Sequence, residues 1–394
     1  MAISTRSPGV LAKTAAYYGA FIILGLTSAV VGPTLPALAE NTQTGLGDIG
    51  LLFTATSLGY LSGALVSGRL YDVARGHRVL LLAMAAIIGA LALIPTVPLL
   101  WLLLALMLLL GFSQSTLDVG GNILLVWVHR EKVAPFMNGL HFCFGLGAFL
   151  APIIVAQAIR IGDAMLWGYW TVALLALPVL AAFLWLPSPP IRTQNPETGT
   201  RGVTPWGLVA LIATMLMLYV SAETSFGGWV FTYALEAGVI PDEVGAAYLT
   251  SVFWGALTVG RLLSVPLAAR IKARAFLLGD LIGALASVGV ILAWPASATA
   301  LRVGAAGLGL SMASFFPTTI TLAEQKLTLT GQVNSWFFVG ASLGGMTLPW
   351  LIGQILETLG PGAFPISVGL ALLATLVAFG VLMRQDGAQP LAVE

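Results

Sequence analysis

The sequence predicts an all-α polytopic membrane protein with twelve transmembrane helices in two pseudo-symmetric six-helix bundles. Of its 394 residues, 58% are hydrophobic and only 8% are charged, whereas ordinary soluble domains are about 25% charged. Many of its apolar stretches reach the roughly 20 residues that a helix needs to cross a bilayer. An outer-membrane barrel would instead show short segments of alternating hydrophobicity.

Twelve apolar segments predict the helices, and the basic residues predict their orientation. An even number of spans puts both termini on one side, and all but Arg160 and Arg302 of the 17 Lys and Arg residues fall on that side. Because basic loops are retained in the cytoplasm, we expect a plasma (inner) membrane protein with both termini cytoplasmic. The predicted helices cover residues 15–39, 49–71, 78–96, 98–128, 134–158, 165–186, 205–233, 244–268, 275–294, 297–322, 332–356 and 363–383.

A polar segment separates the sixth predicted helix from the seventh. Its sequence from Pro187 to Pro205 is rich in Pro, Thr and Gly, which is typical of a linker without a core of its own. We therefore predict an N-terminal six-helix bundle at 1–187, a cytoplasmic linker at 188–203 and a C-terminal six-helix bundle at 204–394.

The two predicted bundles also resemble each other in sequence. Three residues of the fifth helix recur in the eleventh, each 197 residues later. The pairs are Gly147 with Gly344, Pro152 with Pro349, and Gln157 with Gln354. These spacings indicate a tandem duplication, and the two glutamines are interpreted as bridges or caps between helices at symmetric positions.

The best sequence clue to function is Asp118, near the middle of the fourth predicted helix. Gln114, Asp118 and Asn122 are spaced four residues apart, so they share one stripe of the helix. A carboxylate at membrane depth is expensive and is tolerated mainly where it faces a bundle interior or a wet cavity. We expect Asp118 to be an ion-coupling acid there, with the two amides as substrate-binding groups. A structurally paired acid, and amides that join helices, are the alternatives.

Further candidates lie in the fifth, seventh and eleventh predicted helices. His141 lies at a depth similar to that of Asp118 on the neighbouring helix, which favours a contact and an ion-coupling role; a core histidine is the alternative. Glu223 is expected to be a third ion-coupling residue. The other candidate substrate-binding residues are Asn138, Tyr219, Trp229, Asn334 and Trp336, the aromatic ones as surfaces for stacking or as interfacial anchors.

Two six-helix repeats joined by a cytoplasmic linker resemble the major facilitator superfamily, whose parallel repeats place the site between the halves. The loop from Gly68 to Arg78 is similar to the signature loop of that superfamily, although Gly76 lies four rather than three residues after Asp72. The resemblance implies that Asp72 is a gating acid. The gating candidates are Gly68, Asp72, Arg75, Arg78 and Arg261.

Within the superfamily, several segments resemble the fucose and sodium-dependent glucose transporter group. These segments are 118–122, 141–145, 219–229, 260–261 and 340–345. In that group an acid followed four residues later by Asn takes part in sugar and cation handling. The resemblance assigns those roles to Asp118 and Asn122.

Two other features have structural interpretations. Residues 340–344 fit the G-x-S-x-G nucleophile pattern, but that pattern has catalytic meaning only on a sharp strand-to-helix turn, not inside a membrane helix. Asp280 lies close to the basic Arg261 and Arg274 in the predicted topology. We expect it to form a structural ion pair.

Together these observations predict a secondary active transporter for a small polar solute, most simply a sugar, working by alternating access. The sequence shows no P-loop, so we expect a proton or sodium gradient to drive transport, with no cofactor. The alternatives are a proton-coupled exporter of drugs or lipids, an intramembrane enzyme and a non-transporting receptor. We expect a monomer in the lipid bilayer, without enzymatic activity, metal or nucleic-acid partner.

Overall fold

The computed structural model describes residues 8–191, 205–327 and 330–385, and α-helices dominate all three ranges. Twelve helical runs within them are long and apolar enough to cross a membrane, which confirms the predicted number. The α-helices are α1 (Pro8–Ala29), α2 (Val31–Thr42), α3 (Leu46–Ile49), α4 (Leu51–Val73), α5 (Gly76–Leu93), α6 (Leu100–His129), α7 (Ala134–Ile161), α8 (Ala164–Trp185), α9 (Trp206–Glu236), α10 (Glu243–Ala268), α11 (Ala273–Ala293), α12 (Ala298–Met312), α13 (Phe315–Glu324), α14 (Gly331–Leu359) and α15 (Ala363–Gln385).

Fifteen α-helices make twelve spans within these ranges because three predicted helices are interrupted. The interruption between α1 and α2 precedes Pro33, and the one between α12 and α13 precedes Pro317. Proline has no N–H to donate to the carbonyl four residues earlier, so it favours a break at that point. The third interruption, between α3 and α4, falls at Gly50.

The two halves pack equivalent helices through equivalent glycines. A Cβ added to Gly147 of α7 would lie 2.0 Å from the Ile22 carbonyl oxygen of α1, and one added to Gly344 of α14 would lie 2.1 Å from the Met217 carbonyl oxygen of α9. Neither contact leaves room for a side chain, so glycine permits the close approach of the backbones. The predicted duplication is therefore visible in the packing of the two halves.

We call the end of the bundle where α8 ends and α9 begins the linker end, and the opposite end the far end. Most basic side chains of the described residues lie at the linker end, whereas Arg160 and Arg302 lie at the far end. Most of the predicted linker, residues 192–203, lies outside the described residues, as do Arg6, Arg192 and Arg201. The predicted domain bounds remain predictions.

Candidate functional site

A central cavity of about 1340 Å³ lies between the two halves. Its wall reaches Ala268, Lys272 and Gln325, which lie where α10, α11 and α13 approach the linker end. Its opposite limit is set by residues of α1, α2 and α9, among them Gly32 and Gly228. The cavity therefore opens toward the linker end.

Contacts between the two halves close the far end. Thr54 of α4 donates a hydrogen bond to the Met346 carbonyl of α14 over 2.9 Å. Gln157 of α7 donates to the Tyr248 hydroxyl of α10, also over 2.9 Å. Gln354 of α14 lies against Gly47 of α3. Gln157 is thus a hydrogen-bonded bridge between helices, as interpreted from the sequence, and both glutamines contact the opposite half.

Glycines make the tightest part of this closure. A Cβ on Gly32 would lie 2.7 Å from the Gly227 carbonyl oxygen, and a Cβ on Gly228 would lie 2.6 Å from the Phe53 ring. Trp254 covers Gly227 from the α10 side, with its ring 2.5 Å from a Cβ placed there. The backbones of α2 and α9 are therefore in contact at the closed end of the cavity.

Asp118 lies in the cavity wall contributed by the N-terminal half. Tyr60 of α4 donates a hydrogen bond to one carboxylate oxygen. Asn122, one turn further along α6, donates its amide to the other oxygen over 3.0 Å and to the Asp118 carbonyl over 2.9 Å. The predicted stripe is real, since Gln114, Asp118 and Asn122 all line the cavity.

The two amides of the stripe donate hydrogen bonds to different partners. Gln114 is buried and donates to the Thr27 hydroxyl of α1 over 2.9 Å, so it joins two helices, as the alternative interpretation held. Asn122 uses its amino group on Asp118, while its carbonyl oxygen accepts no hydrogen bond from a described residue. The Gln114 carbonyl oxygen likewise accepts no hydrogen bond from a described residue, so both amides of the stripe have an acceptor available to a ligand.

His141 and Asn138 extend the same wall on α7. Both line the cavity and are exposed to it. The His141 ring packs edge-on against Phe21 with centroids 5.9 Å apart, and it interacts electrostatically with Asp118. The structure thus brings the predicted acid and imidazole together across α6 and α7.

Glu223 occupies the wall contributed by the C-terminal half. It lines the cavity beside Arg261 of α10, with which it interacts electrostatically. The Arg261 guanidinium lies 5.9 Å from the centroid of the Phe144 ring, which belongs to the other half. Arg261 also interacts electrostatically with the His141 ring. Arg261 is one of the predicted gating residues; α10 continues for two turns beyond it, so it lies in the cavity wall, and its gating role stays a prediction.

Three predicted substrate-binding aromatic residues do not line the cavity. Trp229 is fully buried and donates its indole N–H to the Pro349 carbonyl over 2.8 Å. Tyr219 is buried and donates to the Met312 carbonyl over 2.5 Å. Trp336 is 50% exposed, on a part of α14 outside the cavity lining. Asn334, two residues earlier and on a different face of α14, does line it.

The acid Asp280 has a hydroxyl as its hydrogen-bond partner, and Arg261, one of the two expected basic partners, lies elsewhere. It is buried and accepts a hydrogen bond from the Ser314 hydroxyl over 2.5 Å. Arg261 faces Glu223 and His141 instead. The expected ion pair with Arg261 is therefore replaced by a hydroxyl contact.

The remaining gating candidates surround the open linker end. Asp72, Arg75 and Arg78 are exposed at the end of α4 and the start of α5, and Gly68 faces open space. They lie outside the cavity lining. We call this conformation, in which the cavity opens at the linker end, the linker-open state. In it these side chains do not contact the cavity that they are predicted to close.

Among the lining residues that the sequence did not predict, three aromatic residues make specific contacts at the site. Tyr60 donates a hydrogen bond to Asp118, Trp254 covers the closed end of the cavity, and Phe53 lies against Gly228. An aromatic residue in an apolar segment was the only signal in the sequence, and it does not distinguish a helix face that lines a cavity from one that faces lipid. Among the described residues, no group of three or more His, Cys, Asp or Glu side chains could hold a metal ion.

A twelve-span bundle whose central cavity contains acidic, basic and amide side chains among apolar ones, open at one end and closed at the other, has the architecture of a membrane transporter. Residues 17–348 match the model of the Major Facilitator Superfamily. The chain belongs to this superfamily, as the sequence resemblance implied.

Several individual proteins are similar to this chain. Sodium-dependent glucose transporter 1 of Homo sapiens is 31% identical over 409 residues, which cover 92% of this chain and 77% of the relative. Sodium-dependent glucose transporter 1A of Mus musculus is 30% identical over 85% of this chain and 88% of the relative. The resemblance to sodium-dependent glucose transporters is therefore confirmed.

Solved structures confirm the fold. A D-xylose-proton symporter superposes with a TM-score of 0.77 at 12% identity, covering 94% of this chain and 97% of that one. The nucleoside transporter NupG superposes with a TM-score of 0.75 at 12% identity, covering 97% of this chain and all of that one.

Proposed function

We propose that this protein is a secondary active transporter that carries a sugar through its central cavity by alternating access, driven by a sodium or proton gradient. One observation carries the proposal. Acidic side chains from both halves, Asp118 and Glu223, line a single cavity that is open at one end only. A site shared by both halves can be exposed first to one side of a membrane and then to the other.

Asp118 supports the coupling to a cation. Its two hydrogen-bond donors, Tyr60 and Asn122, are neutral side chains, so they do not compensate a negative charge. His141 interacts electrostatically with the carboxylate, and a charge at membrane depth that is not fully compensated is costly. Binding of a sodium ion or a proton removes that cost, and the energy of the cavity then depends on the cation. His141 and Glu223 are the other coupling candidates.

The other lining residues support a sugar as the cargo. The Asn122 carbonyl, Asn138 and Asn334 offer hydrogen-bonding groups for hydroxyls. Phe53 and Trp254 offer ring faces at the closed end, which replace Trp229 as the stacking surface. The names of the relatives, sodium-dependent glucose transporters, agree with this chemistry and favour sodium.

Placement in the membrane follows from charge. Basic residues gather at the linker end, which we assign to the cytoplasm of an inner (plasma) membrane protein. The structure then corresponds to an inward-open state with both termini cytoplasmic. We further propose that the protein works as a monomer and has no catalytic activity.

A proton-coupled exporter of drugs or lipids is the second candidate. It is favoured by the rings that line the cavity, which include Phe142, Phe144, Phe276, Phe316 and Phe338. An apolar cargo would pack on these rings and need few hydrogen bonds.

The experiment is an uptake panel. The purified protein is reconstituted in proteoliposomes, and radiolabelled hexoses and pentoses are offered under an imposed sodium gradient, an imposed pH gradient, or neither. We expect one sugar to accumulate under one gradient and to protect the detergent-solubilised protein against heating. If no sugar accumulates or protects at millimolar concentration while a hydrophobic cation is extruded, the exporter replaces the sugar transporter.

A further inference from the structure

The break between α12 and α13 lies directly behind the Glu223 side of the cavity. Residues 313–314 separate the two helices, and Pro317 cannot donate to the Ala313 carbonyl. We propose that Tyr219 links this break to Glu223, and that Asp280 is a positioning residue that holds the break in place through Ser314. The proposal rests on the proposed function, because it concerns how Glu223 acts in transport.

Asp280 holds the break from the α11 side. Ser314, which precedes α13, is buried and donates its hydroxyl to the Asp280 carboxylate over 2.5 Å. Asp280 is itself only 8% exposed. A carboxylate is expensive to bury without a specific contact, and among the described residues Ser314 is its hydrogen-bond donor. The position of the break therefore depends on this pair.

Tyr219 holds the break from the α9 side. Its hydroxyl donates to the carbonyl of Met312, the last residue of α12, over 2.5 Å. Its ring stacks on Phe315, the first residue of α13, with centroids 4.5 Å apart and planes inclined by 16°. One side chain thus contacts both ends of the interrupted helix.

Tyr219 also faces Glu223, one helical turn further along α9. The Tyr219 hydroxyl and the Glu223 carboxyl interact, and Arg261 acts on both of them. A phenol has one proton to donate, so Tyr219 can donate to the Met312 carbonyl or to Glu223, but not to both at once. A change of charge or of ligand at Glu223 therefore changes the hydrogen bonding of the break.

Movement of the break would reach the cargo. The first two turns of α13 form part of the cavity wall through Phe316, Pro317, Ile320 and Thr321. The path from Glu223 through Tyr219 to α13 connects a coupling acid with a surface that contacts solute. Asp280 lies on α11, on the side of the break away from Tyr219, and it does not line the cavity.

The first test reads Glu223 directly and needs no solute. Infrared spectra of the wild-type protein and of Glu223→Gln, both in lipid, are recorded and subtracted. The Glu223 bands are those that are present in the wild-type spectrum and absent from the Glu223→Gln spectrum. We expect Tyr219→Phe, which keeps the ring stack, and Ser314→Ala to shift these bands. Tyr169→Phe removes another buried hydroxyl, one that accepts from Thr34 in the N-terminal half, and should leave them unchanged.

Combining the variants tests the link itself. Ser314→Ala should add no further shift in a Tyr219→Phe background, because its effect passes through Tyr219. Asp280→Ala should shift the Glu223 bands in the same way as Ser314→Ala. If Asp280→Ala does not fold, the test uses Ser314→Ala only. Unchanged Glu223 bands in Ser314→Ala, or an equal shift with and without the Tyr219 hydroxyl, would overturn the proposal.

A second measurement separates this proposal from the proposed function. Loss of one buried hydrogen bond in Ser314→Ala should raise the half-saturating sugar concentration about three- to tenfold, and should do so only when Tyr219 is present. If the wild-type protein carries no sugar, the proposed function fails. The infrared result then still decides whether Tyr219 links the break to Glu223.

Discussion

Tyr60 of α4 donates a hydrogen bond to the Asp118 carboxylate of α6, and Asn122 donates to the other oxygen of the same carboxylate from one turn away. Two helices of the N-terminal half thereby fix the orientation of the acid. Both donors are neutral, and His141 of α7 is an ionisable side chain that interacts electrostatically with the carboxylate. The carboxylate therefore has a fixed orientation in the cavity wall, which agrees with the proposed coupling to a cation.

Asp118→Asn should fold normally and lose gradient-driven accumulation while keeping exchange or facilitated flux. Asparagine preserves the volume of the side chain and still accepts from Tyr60, but it has no charge for a cation to balance. The measurement compares accumulation with counterflow in proteoliposomes. Asp163→Asn is the matched control, because Asp163 caps α8 outside the cavity. Wild-type accumulation in Asp118→Asn would exclude Asp118 as the coupling residue.

Asn122→Ala should weaken sugar binding by about 1–3 kcal/mol, the usual cost of deleting a hydrogen-bond partner in a dry pocket. This corresponds to roughly a ten- to hundredfold loss of affinity. Binding is measured by isothermal titration, with thermal stability in detergent as a check on folding. Asn41→Ala is the control, since Asn41 bonds the Val97 carbonyl outside the cavity. Equal losses in both variants would argue against a sugar contact at Asn122.

Much of this architecture was predictable because membrane helices obey simple rules. Apolar length alone placed all twelve spans, since each must cover the hydrocarbon core. The stripe of Gln114, Asp118 and Asn122 was predictable because helical periodicity puts residues four apart on one face. The breaks before Pro33 and Pro317 also had a visible cause in the missing proline N–H.

Other features depend on how helices rotate against one another, which the pattern of a single helix does not contain. Trp229 was expected to face solute, but the rotation of α9 turns it onto the Pro349 carbonyl. Tyr60 reaches Asp118 only because α4 and α6 pack in one particular register. Arg261 lies in the cavity wall, and its depth there depends on how far α10 continues beyond it, which was not evident from the sequence around Arg261.

Gly228→Ala should shift the protein away from the linker-open state. In this state the added methyl would meet the Phe53 ring at 2.6 Å, and such overpacking typically costs about 1–3 kcal/mol. The ratio of the two states should therefore change about ten- to hundredfold. Spin-label distances between positions 134 and 270, on opposite halves at the linker end, report the populations.

Gly89→Ala is the control for this substitution, because a Cβ at Gly89 meets no atom within 4 Å. It adds the same methyl group to a helix without disturbing the far-end closure. A shorter mean distance at the linker end is expected in Gly228→Ala and not in Gly89→Ala. Identical distance distributions in the two variants would show that this glycine does not determine the closure.

Asp72→Ala should shift the protein in the opposite direction, toward the linker-open state. Asp72 is exposed at the open end here, so its removal costs little in this conformation. If the signature loop closes the linker end in the other state, the lost contacts destabilise that state alone and the population moves. The same pair of spin labels should then report longer distances, with Glu131→Ala, another exposed acid at this end, as the control. Distances that do not change, or that change equally in the control, would leave Asp72 without a gating role.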